Sequence, residues 1–299
     1  MYECIKEFLK TNEVEFLENK SLRSLTTVKI GGTAAILTYP KDEAQFMSLV
    51  SFLRGIGAKF TVLGRMSNVL PPDDGYDGVI IKTDRMSNFT VKNNTLTASA
   101  GVGLPNLSRR AISLGIAGFE ELSGIPGSVG GAVAGNAGAF GRECSELLVE
   151  ALICDFNSGE SYMLKNSELK FDYRTSLCKN KNCFILSAKF EGFCGDINSL
   201  KRREAEFISK RKATQPYGYP SLGSVFKRPH DGVSAGHLID ECGLKGYRVG
   251  DAQISAVHAG FIVNLGEATA RDYLKCAEDA ASCVKERFGI ELQKEIVIL

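Results

Sequence analysis

The 299-residue chain lacks an excess of either charge: 36 basic and 35 acidic side chains leave a formal net charge of +1. It has no overall basic field of the kind that holds nucleic acid or an anionic membrane, so an anionic ligand must be held by local groups. No apolar run approaches bilayer-spanning length. The opening "MYECIKEFLKTNEVEF" mixes acids with its apolar residues and does not follow a secretory pattern. The nine cysteines are odd in number, scattered, and contain no CxxC pair. That usage predicts reduced thiols in a cytoplasmic protein rather than a disulfide framework. Cys178, Cys183 and Cys194 come nearest to a metal cluster, but their spacings match neither a zinc ribbon nor a ferredoxin run, and buried, inert thiols are expected. The three histidines, His230, His237 and His258, all lie in the last third and not at zinc-site spacing. No metal is expected.

Two nucleotide signatures are also missing. "GVGLPN" at Gly101 supplies GxG but puts Asn106 where the third glycine of a dinucleotide fingerprint belongs, and there is no Walker A sequence. Rossmann and P-loop folds are therefore disfavoured.

Glycine, by contrast, is abundant at 31 residues, and it is densest in "GIPGSVGGAVAGNAGAFG", Gly124 to Gly141. Ordered glycine costs backbone entropy, so such a cluster needs a compensating reason. Interleaved Val and Ile argue against a flexible linker. Close helix packing, or a loop and helix start whose N–H groups face phosphate, both account for it. "KIGGTA" at Lys29 and "LGRMSN" at Leu63 likewise place small residues after strands, and three such loops can converge on one pyrophosphate.

Periodicity predicts a helix over Tyr2 to Lys10, a strand in "TTVKIGGTAAILTYP" broken by its glycine pair, and a helix in "DEAQFMSLVSFLRGIG" capped by Asp42. With the strands "FTVLG" and "GVIIKT" these make a small α/β unit. From Asn88 the pattern becomes α+β: a hairpin around Asn93 and Asn94, the helix "LPNLSRRAISLG", then the strands "LLVEALICDF" and "ESYMLK" around an "NSG" turn. The charged helix "SLKRREAEFISKRKATQ" leads to a third unit. There, "ATARDYLKCAEDAASCVKERFG" puts Tyr273, Ala277, Ala280, Val284 and Phe288 on one helical face, Gly289 is the stop, and "IELQKEIVIL" is a closing strand. The expected division is a helical segment 1–20, subdomains 21–85 and 86–195, and a C-terminal domain 196–299.

In this order, "KIGGTA", "LGRMSNVL", "AGVGLPNLSRRA", "GIPGSVGGAVAGNAGAFG", "YRTS", "YPSLGSVFKRP", "AGHLIDECGLKG" and "HAGFIVN" resemble the UDP-N-acetylenolpyruvoylglucosamine reductase family over nearly the whole chain. The resemblance implies an α+β fold, with a two-subdomain FAD-binding domain of the vanillyl-alcohol-oxidase-like (PCMH) type and a C-terminal α+β substrate domain. It also implies NADPH-dependent, FAD-mediated reduction of UDP-N-acetylglucosamine enolpyruvate to UDP-N-acetylmuramate in peptidoglycan precursor synthesis, by a cytoplasmic monomer with no nucleic-acid or membrane partner. The segment Tyr217 to Ser221 leaves no room for the tyrosine-bearing loop of the family's longer form.

On this resemblance the catalytic residues are Arg174, whose guanidinium fork suits the substrate carboxylate, Ser224 as proton donor, and Glu295. Without it they read as a surface salt bridge, a turn residue and a solvent-facing strand carboxylate, with Glu291 as an alternative to Glu295. The implied FAD contacts are Ile30, Gly31 and Gly32; Gly64, Arg65, Ser67 and Asn68; Gly124, Ile125, Pro126, Gly127, Ser128, Gly130 and Gly131; and Asn136 and Gly138. Tyr173, Lys227, His258 and Asn264 are implied for substrate, and Arg228 and the basic helix are further candidates for its diphosphate. Met66 stands where the family usually has a glycine, which is expected to weaken FAD, and Thr214 and Asp251 replace a usual lysine and glycine. With no histidine before His230, FAD is expected to be held non-covalently. Two alternatives stay open: an FAD-dependent oxidase of the same fold and a non-catalytic nucleotide-binding paralogue.

Overall fold

The computed structural model describes residues 1–180, 182–230 and 232–299. Helix α1 (Tyr2–Thr11) buries Ile5 and Leu9, one turn apart on one face. Helix α2 (Glu43–Gly55) starts where the Asp42 carboxylate accepts the Gln45 N–H at 2.9 Å, satisfying a donor that the helix itself cannot pair. Phe60–Leu63 runs parallel to Tyr76–Lys82, with Phe60 opposite Val79 and Leu63 opposite Lys82. The strand expected from Thr26 begins only at Thr33. Gly31, at φ +129°, turns the chain out of extended conformation just before it.

The hairpin forms as expected, Phe89–Lys92 with Thr95–Ser99, and Asn93 takes the φ of +54° that tight hairpin turns favour. It is the edge of a five-stranded antiparallel sheet in the order Ser161–Lys165, Leu148–Asp155, Cys183–Glu191, Thr95–Ser99, Phe89–Lys92. Adjacent residues along two of the three inner strands, Leu148–Asp155 and Cys183–Glu191, serve two cores. Ile153 and Ile185 join a cluster with Leu107 of α3 (Leu104–Ser113), Val133 of α4 (Val129–Ala134), and Phe119. Cys154 and Leu186 join a second cluster with Ile5, Phe46, Leu49 and Val79. These two cores match a two-subdomain body. The helices α5 (Leu177–Asn180) and α6 (Ile197–Thr214) flank the last strand of the series in sequence.

The chain divides into two compact units, each discontinuous: residues 1–18, 36–65 and 78–209, and residues 19–35, 66–77 and 210–299. The second holds an antiparallel sheet in the order Ser221–Ser224, Phe261–Asn264, Ala252–Ile254, Arg248–Val249, with α7 (Ala235–Glu241) and α8 (Ala270–Phe288). Its two early segments belong to it for identifiable reasons. The Asp73 carboxylate accepts the N–H groups of Ala270 and Arg271 at 2.6 and 3.1 Å, where the N-terminus of α8 favours an anion. The buried Asn264 amide donates to the Val28 and Lys29 carbonyls. Helix α8 opens with a reciprocal cap between Thr269 and Asp272 and buries Tyr273, Ala277, Ala280 and Val284 as its spacing predicts. Phe288 departs from that face and is 38% exposed, one residue before Gly289 ends the helix at φ +69°. The expected closing strand shrinks to Val297–Ile298, which pairs in parallel with Val69–Leu70.

Candidate active site

In the first unit three loops meet. Gly103 bridges Ser128, the Leu104 N–H donates to the Gly127 carbonyl at 3.1 Å, and the Val129 and Gly130 N–H groups donate to Val102 and Ala100. A Cβ at Gly64 would collide with Ser128 Oγ, and one at Gly103 would lie 2.9 Å from the Arg65 guanidinium. The loops at Leu63, Gly101 and Gly124 are therefore the trio that converges here, while "KIGGTA" belongs to the second unit.

The glycine run proves to be of mixed purpose. Gly127 has φ +142°, which suits only glycine, and Gly130 packs on Ala100, where a Cβ would come within 2.9 Å. Gly131 is exposed, with Ser128 Oγ the nearest atom to an added Cβ at 3.5 Å. Since Val129 and Gly130 spend their N–H groups on the chain, the start of α4 is not a general phosphate cradle, which narrows the helix-start expectation. Glycine backbone at Gly64, Gly103, Gly127 and Gly131 beside the Arg65 cation nonetheless fits an anionic group.

One cation here escapes sequence reasoning. Lys82 is 3% exposed, donates from Nζ to the Gly64 carbonyl, and pairs with Asp84 at 3.0 Å. Burial lowers its pKa, partly offset by Asp84. It fixes the Gly64 loop. The signal is a lysine closing the otherwise apolar stretch "GVIIK", all five residues of which are buried.

Arg174 lies in the same unit, in a turn closed by reciprocal bonds between Asp172 and Thr175 at 3.2 and 3.1 Å. It adopts φ +55°, donates from Nη2 to the Gly138 carbonyl at 3.0 Å, and sits 5.3 Å from the Tyr173 ring centroid. Buried Asn136 ties the end of the glycine run to this turn, donating to the Asp172 carbonyl at 3.1 Å and to Glu143 at 2.7 Å. Arg203 of the basic helix pairs instead with the buried carboxylates of Glu120 and Glu121, at 3.2 and 2.8 Å, so that part of the helix serves the fold.

The second unit gathers Ser224, Lys227, Glu295 and Asn68. Ser224 is exposed at the end of its strand, opposite Phe261 and just after Gly223 at φ +80°. The Glu295 N–H donates to the Val225 carbonyl at 2.8 Å, the Lys227 N–H to Gln293 at 2.9 Å, and Asn68 Nδ2 to the Glu295 carbonyl at 3.0 Å. His258 is half-buried, accepts the Gly260 N–H on Nδ1 at 3.0 Å, and has its pKa lowered by burial. Other expected residues are built into the chain itself. Ile30 is core, a Cβ on Gly31 would meet Pro71, and one on Gly32 would collide with the Asp73 carbonyl. Asn264 Oδ1 also accepts the Gly266 and Ala268 N–H groups at 2.8 and 3.1 Å. Asp251 accepts the Glu267 N–H at 2.8 Å, and Thr214 donates to the Lys210 carbonyl at 2.9 Å. Met66, the departure from glycine, takes φ +52° and is 2% exposed. Its side chain is part of the packed interior.

Among the described residues no group of three His, Cys, Asp or Glu side chains could hold a metal, and no helix is long and apolar enough to cross a membrane. Residues 34–161 match the profile of an FAD binding domain. With the two-core α+β body, this defines an FAD-dependent oxidoreductase. Residues 215–299 match the C-terminal domain of UDP-N-acetylenolpyruvoylglucosamine reductase. The UDP-N-acetylenolpyruvoylglucosamine reductase of Caldicellulosiruptor bescii is 40% identical over 97% of this chain and 92% of its own, and that of Limosilactobacillus fermentum 38% identical over 96% and 95%. The crystal structure of UDP-N-acetylenolpyruvylglucosamine reductase from Thermus caldophilus superposes with a TM-score of 0.80 at 34% identity, covering 95% of this chain and 98% of that one. The chain belongs to the UDP-N-acetylenolpyruvoylglucosamine reductase family.

Proposed function

We propose that the chain reduces the enolpyruvyl ether of UDP-N-acetylglucosamine to UDP-N-acetylmuramate in the cytoplasm, with NADPH as electron donor, acting as a monomer. In this reading residues 21–195 carry the flavin and 196–299 the substrate, with Gly64, Arg65, Gly103, Gly127, Ser128 and Gly131 nearest the flavin diphosphate. Bound FAD supplies hydride transfer from NADPH to the substrate's terminal enolpyruvyl carbon. Hydride delivery leaves negative charge on the carboxylate side of the substrate, and fixed positive groups stabilise such charge most when they need no reorganisation. Arg174 is assigned to that carboxylate. The observation that carries the assignment is its turn, which commits the backbone to φ +55° and one guanidinium nitrogen to Gly138 within the glycine run.

Ser224 gives its hydroxyl proton to the neighbouring carbon. A serine hydroxyl is a weak acid in water but can protonate a strongly basic enolate when held in place. Glu295, whose N–H donates to the Val225 carbonyl next to Ser224, is assigned to the same proton path, and Tyr173, Lys227 and His258 to substrate. The test is an absorption spectrum of purified protein followed by NADPH consumption with and without the enolpyruvyl sugar nucleotide. Consumption that depends on that substrate supports the reading. Bound flavin with no substrate-dependent turnover, and reduction of flavin by an alcohol or sugar, would replace it with the oxidase.

A further inference from the structure

Cys178, on α5, and Cys183, the first residue of its strand, place their sulfurs 2.9 Å apart. A disulfide bond measures ~2.05 Å, so closure by about 0.9 Å would join them. Cys178 is 7% exposed within the cluster that holds Leu169 and Ile185, and Cys183 lies half-buried at its margin. The other thiols differ in setting. Burial pushes Cys144 up to about 12 and Cys276 to about 12, which makes both poor nucleophiles. Cys194 is exposed and accepts a hydrogen bond from Asn94. Cys242 and Cys283 form the rival contact, in the second unit.

We propose that Cys178 and Cys183 are a modification site, a dithiol that a peroxide converts reversibly into an intramolecular disulfide. The more accessible Cys183 reacts first as thiolate. Its sulfur attacks one oxygen of hydrogen peroxide, forming an S–O bond as the O–O bond breaks and hydroxide leaves to become water. Cys178 then loses its proton and attacks the Cys183 sulfur, so that the S–S bond forms as the S–O bond breaks and a second water leaves. The two sulfurs together lose two electrons and the peroxide gains two. A small dithiol reverses the change by exchange. Contact with Cys183 and burial both raise the Cys178 pKa, consistent with its acting second.

The position of the pair gives the disulfide a consequence, which rests on the role proposed for Arg174. Ser176 Oγ donates to the Ala134 carbonyl at 2.8 Å, and Lys179 Nζ donates to the Arg174 carbonyl at 2.9 Å. Helix α5 is therefore tied to the arginine turn, and the residue just before it to the glycine run. Joining Cys178 to Cys183 staples that turn to an inner strand of the five-stranded sheet.

Peptide mapping of the flavin-loaded protein tests the inference. The protein is treated with a small excess of hydrogen peroxide, alkylated, digested and analysed by mass spectrometry. The expected product is a Cys178–Cys183 linkage, about tenfold or more in excess of any other pair. In parallel, denaturing thiol titration should lose two of the nine thiols and recover both with dithiothreitol. Cys178→Ser should abolish the linkage and leave Cys183 as a sulfenic acid that dimedone traps, while Cys183→Ser should leave Cys178 reduced. Linkage of Cys242 to Cys283 first, over-oxidation without a disulfide, or nine titratable thiols after peroxide treatment would each overturn the proposal. The mapping reads covalent linkage in the parent protein, so it stands whether or not the variants fold. The KM for the enolpyruvyl sugar, compared between oxidised and reduced forms, reads the Arg174 consequence separately.

Discussion

Arg174 and Ser224, assigned to one reaction, are held in contrasting ways. The arginine is half-buried in a turn with left-handed backbone, its carbonyl bonded to Lys179 and its guanidinium to Gly138. The serine is exposed at a strand end, where its backbone lies opposite Phe261 and the next residue, Val225, is held by backbone hydrogen bonds. The contrast suits the chemistry proposed for each. A charged anchor stabilises developing charge only if its orientation is set beforehand, whereas a hydroxyl rotates about one bond to present its proton.

The comparison breaks most visibly at the serine. Ser224→Ala should slow reoxidation of reduced flavin by the enolpyruvyl substrate by roughly 10²- to 10⁴-fold, the range for a positioned acid. Reduction by NADPH should proceed at nearly the parent rate. Anaerobic stopped-flow absorbance separates the two, and equal slowing of both would mean that Ser224 supports a shared binding surface. Arg174→Lys keeps the charge and removes the fork. Its expected cost is about 10- to 100-fold in kcat/KM, the worth of one charge-assisted hydrogen bond, and parent-like activity would show that charge alone suffices.

Met66 sharpens the comparison, because it shares the backbone conformation of Arg174, φ +52° against +55°, but is buried inside its unit. A glycine there relieves the backbone and forfeits the packing. Met66→Gly is expected to lower stability by about 1–4 kcal/mol in urea unfolding, and Met66→Ala by ~1 kcal/mol more, since it loses the packing and keeps the strain. Flavin affinity of Met66→Gly that matches the parent, at equal folded fraction, would confine the residue to packing.

The smallest expected effect concerns the strand opposite Ser224. Burial lowers the His258 pKa, so the folded state holds it neutral, with Nδ1 accepting the Gly260 N–H. Below pH ~6.5 the unfolded chain binds a proton that the folded chain resists. Stability is thus fully present above that pH and falls as pH drops through it, by no more than ~1.4 kcal/mol per pH unit. Urea unfolding at several pH values should show this slope in the parent and a shallower one in His258→Asn.

What the sequence shows by itself follows the range of each signal. Helices α2 and α8 carry their caps and periodic apolar faces within a few residues, and the Asn93 hairpin carries its turn, so all three can be read locally. "CFILSAKFE" escapes assignment because Ile185 and Leu186 are buried side by side, which interrupts the alternation that Leu186, Ala188 and Phe190 otherwise keep. The tail "IELQKEIVIL" pairs with residues more than two hundred positions away, a partner no local pattern can announce. The same applies to the site. The loops at Leu63 and Gly124 stand out by their glycines, but the purpose of each glycine depends on neighbours such as Ala100 or Ser128 that arrive from elsewhere in the chain. Lys82 is invisible as a loop anchor until the Gly64 carbonyl is placed beside it.

Two inner strands of the five-stranded sheet, Leu148–Asp155 and Cys183–Glu191, act as a party wall. Ile153 and Cys154, adjacent in the chain, face different hydrophobic clusters, and so do Ile185 and Leu186. Neither strand can leave without exposing both clusters. The first unit should therefore melt as one cooperative block despite its two cores, with the slowest amide exchange of that unit along Leu148–Asp155 and Cys183–Glu191.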